Sequence, residues 1–272
     1  VTPRQRCRPW SCHRLRSTMI LPRLSTSIPG GTAYRPLLAA QRTFPASSAA
    51  WSAAFPSITV PTSLWPCQET SGTVVDVITG NNLTAQGAGG SYANAGDPFG
   101  RTALGLTATN SRFQAANTTI LDVTTGSISI FVRCYSPSGA NAGAIVEKRA
   151  GDGGNDPGYQ VIINSGEEIG FSVDGADAGI RTAEITGVNQ ADKWVDVMGV
   201  VDSGGGNIHC YTPHSNDTEP LAGTGSLTNS LAFCFGDPSG LLSKPGTLIS
   251  YVAVWLGVVI TSAQYNLIRN AA

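Results

Sequence analysis

The chain has 272 residues with 17 basic and 18 acidic side chains, a net charge of −1, and only 13% charged residues, about half the usual quarter. Near-neutrality gives no reason to expect a nucleic-acid partner, and no apolar stretch reaches the roughly 20 residues of a membrane-spanning helix. With 32 Gly, 16 Pro and few helix formers, the composition excludes a helical protein and favours an all-β chain with many turns, long enough for a substantial core.

The N-terminal part stands apart. Eight arginines run from Arg4 to Arg42 before the first acidic residue, Glu69, so that part carries about +8 and the rest about −9. Residues 1–63 lack periodicity and are punctuated by prolines from Pro3 to Pro61. Each removes a donor and restricts its predecessor, which makes long helices and central strands improbable. The reading is an extended, mostly irregular basic arm or leader. Three roles are open: an organellar transit peptide, an arm docking onto structural proteins of an assembly, or upstream sequence ahead of a start at Met19. No secretory signal fits, because Pro22 and Arg23 interrupt the apolar stretch.

From Leu64 the chain turns into short β-rich runs separated by Gly, Asn, Asp and Pro, the signature of a sandwich or barrel. Expected strands are 73–78, 101–106, 126–135, 144–149, 159–164, 168–173, 180–186, 194–202, 207–212, 231–236 and 246–256. Alternation is clear from Ser127 to Val132 and from Val195 to Val200, so each run buries one face. Thr261 is positioned to cap a closing helix over 262–268. Residues 64–272 are therefore expected to form one domain. The six cysteines form no C-x-x-C pair and have no histidines at zinc spacing. Cys134 and Cys234 lie in apolar runs and read as small buried hydrophobes. A Cys67–Cys210 or Cys134–Cys234 bridge stays open.

Three stretches carry a family resemblance. The opening, LWPCQETSGTVVDVITGNNLTAQG, contributes Trp65, Glu69, Ser71, Gly72, Asp76, Gly80 and Asn81. The middle, KWVDVMGVVDSGGGNIHCY, is a Trp-led strand with a Gly-rich hairpin, and GTLISYVAVWLGVVITSAQYNLI supplies a last strand and closing helical turn. In this order they resemble the laminin-G-like, concanavalin A-like lectin/glucanase domains. The resemblance implies an antiparallel jelly-roll β-sandwich. It also implies a structural Ca²⁺ between the early loop and a late carboxylate. Two departures weaken that implication: the hairpin reads Tyr211-Thr212-Pro213-His214 in place of Tyr-x-Asp-Gly, and Ser250 stands where the family carries an acidic residue.

Chemistry is sparse. Glycosidases of this fold resemble one another in a strand of alternating carboxylates, which sets acid and base on one face. No such strand is present, since Glu167 and Glu168 are adjacent and Glu147 precedes Lys148. His209 and Cys210 are neighbours on one strand and face opposite ways, which excludes a thiol–imidazole pair. The loop from Gly151 to Gly158 holds Asp152 and Asp156, which together with Asp76 are the candidate calcium ligands, although the same residues suit a plain hairpin turn. Tyr92, Phe99, Tyr159 and Tyr211 lie near turns and are the candidate ligand-binding aromatics. The expectation is a non-catalytic module without cofactor. Its leading role is a virion surface component, a phage capsid decoration or tail protein. The alternative is a carbohydrate-binding or adhesive module outside the cell.

Overall fold

The computed structural model describes residues 44–94, 96–116, 119–124, 126–139, 142–149, 157–175, 179–221, 225–237 and 243–271. Strands dominate. In chain order they are β1 (Ser63–Trp65), β2 (Leu83–Gln86), β3 (Gly90–Asn94), β4 (Ala103–Leu106), β5 (Arg112–Ala115), β6 (Ile128–Ser136), β7 (Gly143–Lys148) and β8 (Gly158–Ile163). They continue with β9 (Ile169–Gly175), β10 (Gly179–Ile185), β11 (Lys193–Asp202), β12 (Asn207–Tyr211), β13 (Asn216–Pro220), β14 (Cys234–Phe235) and β15 (Leu248–Leu256). Two helices, α1 (Ser48–Ala54) and α2 (Ser262–Ala271), flank the series.

The strands form two antiparallel sheets. The first has the order β13-β12-β11-β6-β15-β4-β3 with β1 also paired to β15, and the second is β10-β9-β8-β7-β14-β5-β2. Their alternating residues explain the layering. Along β6, Ile128, Ile130, Val132 and Cys134 point into the space between the sheets, as do Val195, Val197 and Val201 of β11, where they meet Tyr159, Val161, Phe171 and Val173 of the second sheet. Gly199 continues the inward series, and a Cβ there would lie 2.3 Å from the Phe171 ring. Its lack of a side chain lets the sheets approach. At one edge the sheets are tied by the Glu184 N–H, which donates to Asp217 Oδ2 at 2.8 Å. At the other, Tyr92 packs edge-on against Phe113 at 5.4 Å.

A second hydrophobic layer covers the outer face of the first sheet. The outward residues Phe131, Met198, Val200, Tyr251, Ala253 and Trp255 meet Trp51 and Phe55 from the α1 region, and Tyr265 and Ile268 from α2. Residues 44–62 are laid across β15. Phe44 stacks on Tyr251 at 4.0 Å, Trp51 meets Trp255 edge-on at 5.3 Å, and Trp255 Nε1 donates to Thr59 O at 2.7 Å. Ser47 caps α1 by accepting from Ala50 N at 3.1 Å. The sequence reading has an irregular arm up to residue 63, and the structure differs here: one short helix forms, and the packed chain reaches upstream to Phe44. The run 73–78, expected as a strand, is a turn with a single bridge between Val74 and Leu83.

Charged side chains beneath that layer form a cluster. Arg133 bonds Asp97 at 3.1 Å and Asp196 at 2.8 Å, and Arg101 reaches Asp97 at 3.1 Å. Cys67, Cys134, Cys210 and Cys234 are buried free thiols, so neither considered bridge forms. No helix among the described residues is long and apolar enough to cross a membrane.

Candidate functional site

The β12–β13 hairpin and the start of α2 lie on the same side of the first sheet. Between them is a cavity of about 190 Å³ lined by Tyr211, His214, Asn216, Ser262, Tyr265 and Asn266 together with the turn residues. The volume is below the roughly 300–1,000 Å³ of sites for drug-sized ligands and suits a single small polar ring.

Both walls are braced. In the hairpin, Thr212 N donates to Ser215 O at 2.8 Å, Thr212 Oγ1 donates to Ser215 O at 3.1 Å, and Ser215 N donates to Thr212 Oγ1 at 3.3 Å. Pro213 restricts φ inside this turn, and His214 stands exposed at its tip. On the other wall Thr261 and Gln264 form a capping box: Gln264 N donates to Thr261 Oγ1 at 3.3 Å and Thr261 N to Gln264 Oε1 at 2.9 Å. The sequence thus fixes where α2 begins, and hence where Ser262 and Asn266 stand one turn apart.

The floor is aromatic. Tyr211 lies between His209, at 5.7 Å and 12°, and Tyr265, at 6.0 Å and 26°. Its hydroxyl has no hydrogen-bond partner among the described residues. The Tyr265 hydroxyl donates to the Asp196 carbonyl at 2.8 Å and is thereby fixed. Burial first, then the charge of Asp202, raises the Tyr211 pKa; burial also raises that of Tyr265. Both phenols stay protonated. Asn266 Oδ1 accepts from Arg269 Nε at 2.8 Å, which turns the amide NH₂ free. The side chains of His214, Asn216 and Ser262 make no hydrogen bond among the described residues.

The residues singled out from sequence are dispersed. Tyr211 lines the cavity. Tyr159, expected as an exposed contact, is fully buried between the sheets, with its hydroxyl donating to Leu121 O at 2.8 Å; its ring continues the inward alternation of β8. Tyr92 is half-buried and donates to Gly72 O at 2.5 Å. Phe99 lies half-buried beneath Arg133 at 4.4 Å, a packing partner of the ion cluster. Asp76, expected as a calcium ligand, is buried and surrounded by donors. Leu64 N, Ile78 N and Thr79 N reach Oδ1 at 3.0, 3.0 and 3.3 Å, while Thr79 Oγ1 and Asn81 N reach Oδ2 at 2.5 and 3.3 Å. Donated hydrogens occupy the lone pairs a cation would need. Asp152 and Asp156 lie outside the described residues. Among the described residues no three His, Cys, Asp or Glu side chains gather as metal ligands.

Sequence reasoning missed His214, Asn216, Ser262, Tyr265 and Asn266. The one available signal was the departure Tyr-Thr-Pro-His at the hairpin.

No protein-family model and no curated protein matches the sequence. Solved structures do resemble the fold. The botulinum neurotoxin serotype D ligand-binding domain in complex with N-acetylneuraminic acid superposes with a TM-score of 0.61 at 12% identity over 80% of this chain and 52% of that one. The binding domain of Paraclostridial mosquitocidal protein 1 gives 0.56 at 12% identity, over 76% of this chain and 51% of that one. A structure of botulinum neurotoxin type C, whose cell entry depends on two ganglioside molecules, gives 0.53 at 15% identity, over 78% and 51%. The chain spans about half the length of these structures. The likeness carries the fold, a lectin-like β-sandwich of the kind found in toxin binding domains. None of the three is a virion component, and the expectation of a capsid or tail protein draws no support from them.

Proposed function

We propose that this chain is a non-catalytic glycan-binding module, laminin-G-like in its relationships and working outside the cell, whose site is the cavity between the β12–β13 hairpin and α2. One observation carries the reading. Two braced elements present uncommitted polar side chains, His214, Asn216 and Ser262, around a buried phenol in a cavity sized for one sugar ring. Sugars are recognised by such convergent hydrogen-bonding groups beside aromatic surface. The fold's likeness to toxin domains that bind N-acetylneuraminic acid or depend on gangliosides supports the same class of ligand. A non-catalytic role is supported by the engagement of carboxylates on the surrounding strands: Asp196 pairs with Arg133, Asp202 accepts from Gly205 N and Asp217 accepts from Glu184 N.

The test is a glycan array followed by titration calorimetry. A ligand found on the array should lose about tenfold or more in affinity on each of His214→Ala and Asn216→Ala, one net hydrogen bond apiece, with the melting temperature unchanged. Binding that survives both substitutions moves the site elsewhere, and an array without hits rejects the reading.

A further inference from the structure

Resting on the glycan reading, we propose that this cavity takes an acidic sugar, with the sugar's carboxylate or sulfate ester seated against the first turn of α2 and the Tyr211 hydroxyl.

Four features point the same way. First, α2 has ten residues and presents its N-terminus at Ser262, which lines the cavity. The capping box occupies the N–H groups of Thr261 and Gln264. Those of Ser262 and Ala263 have no acceptor within the helix and carry the positive end of its dipole. Second, Tyr211 is 9% exposed, and its hydroxyl is unpartnered. It lines the cavity and can donate to a ligand there. Third, Arg269 holds Asn266 by its oxygen and lies over the Tyr265 ring at 5.9 Å. The amide oxygen is thereby engaged, and the NH₂ of this cavity-lining residue is left uncommitted. Fourth, no carboxylate lines the cavity. Those nearby are engaged: Asp196 with Arg133 at 2.8 Å, Asp202 with Gly205 N at 2.8 Å and Asp217 with Glu184 N at 2.8 Å.

A neutral hexose would need acceptors about as much as donors. The side chains lining this cavity, Pro213 apart, all carry donors and none is an anion, and an anionic acceptor gains about twice as much from each donor as a hydroxyl does.

The experiment uses the full chain and matched glycan pairs: sialylated against asialo, glucuronide against glucoside, sulfated against unsulfated. Sodium sulfate serves as the free anion. Calorimetry should give the acidic member of at least one pair about tenfold tighter binding, weakening as salt rises. Tyr211→Phe removes only the hydroxyl and should cost the acidic ligand about tenfold, with little effect on its neutral counterpart. Asn266→Asp should abolish the preference. Ser262→Pro removes an N–H at the first helical position, where proline is tolerated, and should act in the same direction without unfolding α2. Equal binding of both members of every pair, lost on His214→Ala, overturns the acidic-sugar assignment and leaves the glycan reading standing. Absence of binding by any glycan overturns both. Sulfate competing as well as the acidic glycan identifies a bare anion site and overturns the assignment.

Discussion

Asp76 shows how one side chain can overrule a propensity. The run Thr73-Val74-Val75-Asp76-Val77-Ile78 is rich in β-branched residues and reads as a strand. The Asp76 carboxylate instead collects the N–H groups of Ile78, Thr79 and Asn81 behind it and that of Leu64 on β1, and folds the segment into a turn. Asp76→Ala should therefore leave several buried donors short and cost about 2–4 kcal/mol in urea unfolding, with the slope of the transition unchanged. A loss below about 0.5 kcal/mol would mean that water replaces the carboxylate and that other contacts hold the turn. The same competition bears on Asp76 as a candidate calcium ligand. Sequence shows an acidic residue among Gly and Asn, and only the fold shows that its oxygens receive hydrogens.

At the scale of elements, alternation was the reliable guide. The long central strands β6, β11 and β15 lie close to the expected spans, the first two alternating and β15 a continuous apolar run buried on both faces, and α2 begins at the expected cap. Short elements escaped. β2, β3, β5 and β13 have four or five residues each, too few for a period to stand out from turn sequence. Helix α1 is weaker still: SAAWSAA has one large apolar residue, and a seven-residue helix has no stability of its own. What makes it a helix is Trp51, fully buried against Phe55 and Trp255. Trp51→Ala should cost about 3–5 kcal/mol by thermal or urea melts, as truncation of a buried aromatic does. A chain beginning at Pro61 should uncover Trp255, Tyr251 and Phe131 together, bind a hydrophobic dye and self-associate. If that shortened chain remains a monomer with an unchanged melting temperature, residues 44–60 are an accessory to the sandwich and the outer layer is dispensable.

The described residues form three layers, two sheets and an outer cover, and only the sheets were legible in the sequence. The cavity arises because hairpin and helix, distant along the chain, meet on that cover, which no local pattern encodes. Carboxylates both beneath the cover and in exposed loops set how the protein responds to acid. Burial pushes the Asp97 carboxyl up, but the Phe99 N–H, Arg133 and Arg101 outweigh it, and the net pKa is lowered. Glu167, Glu168 and Asp192 are lowered too, chiefly by hydrogen bonds from Gly139, Asn164 and Ser138 respectively. A carboxylate whose folded pKa is depressed contributes stability above its unfolded value, near 4, and loses it as pH falls through the lower folded value. Asp196 acts in the opposite sense. Its pKa is raised by burial, with Arg133 offsetting only part, so protonation relieves a cost of folding. Four lowered groups oppose one raised group, and the melting temperature should hold from pH 7 to about 5 and drop below about pH 4. Asp97→Asn isolates the buried contribution: it should melt lower than the parent at pH 7, because Arg133 and Arg101 lose a shared partner, and the two curves should converge toward pH 2. A parallel offset at every pH would show that Asp97 acts through packing and hydrogen bonds alone, and that its charge plays no part.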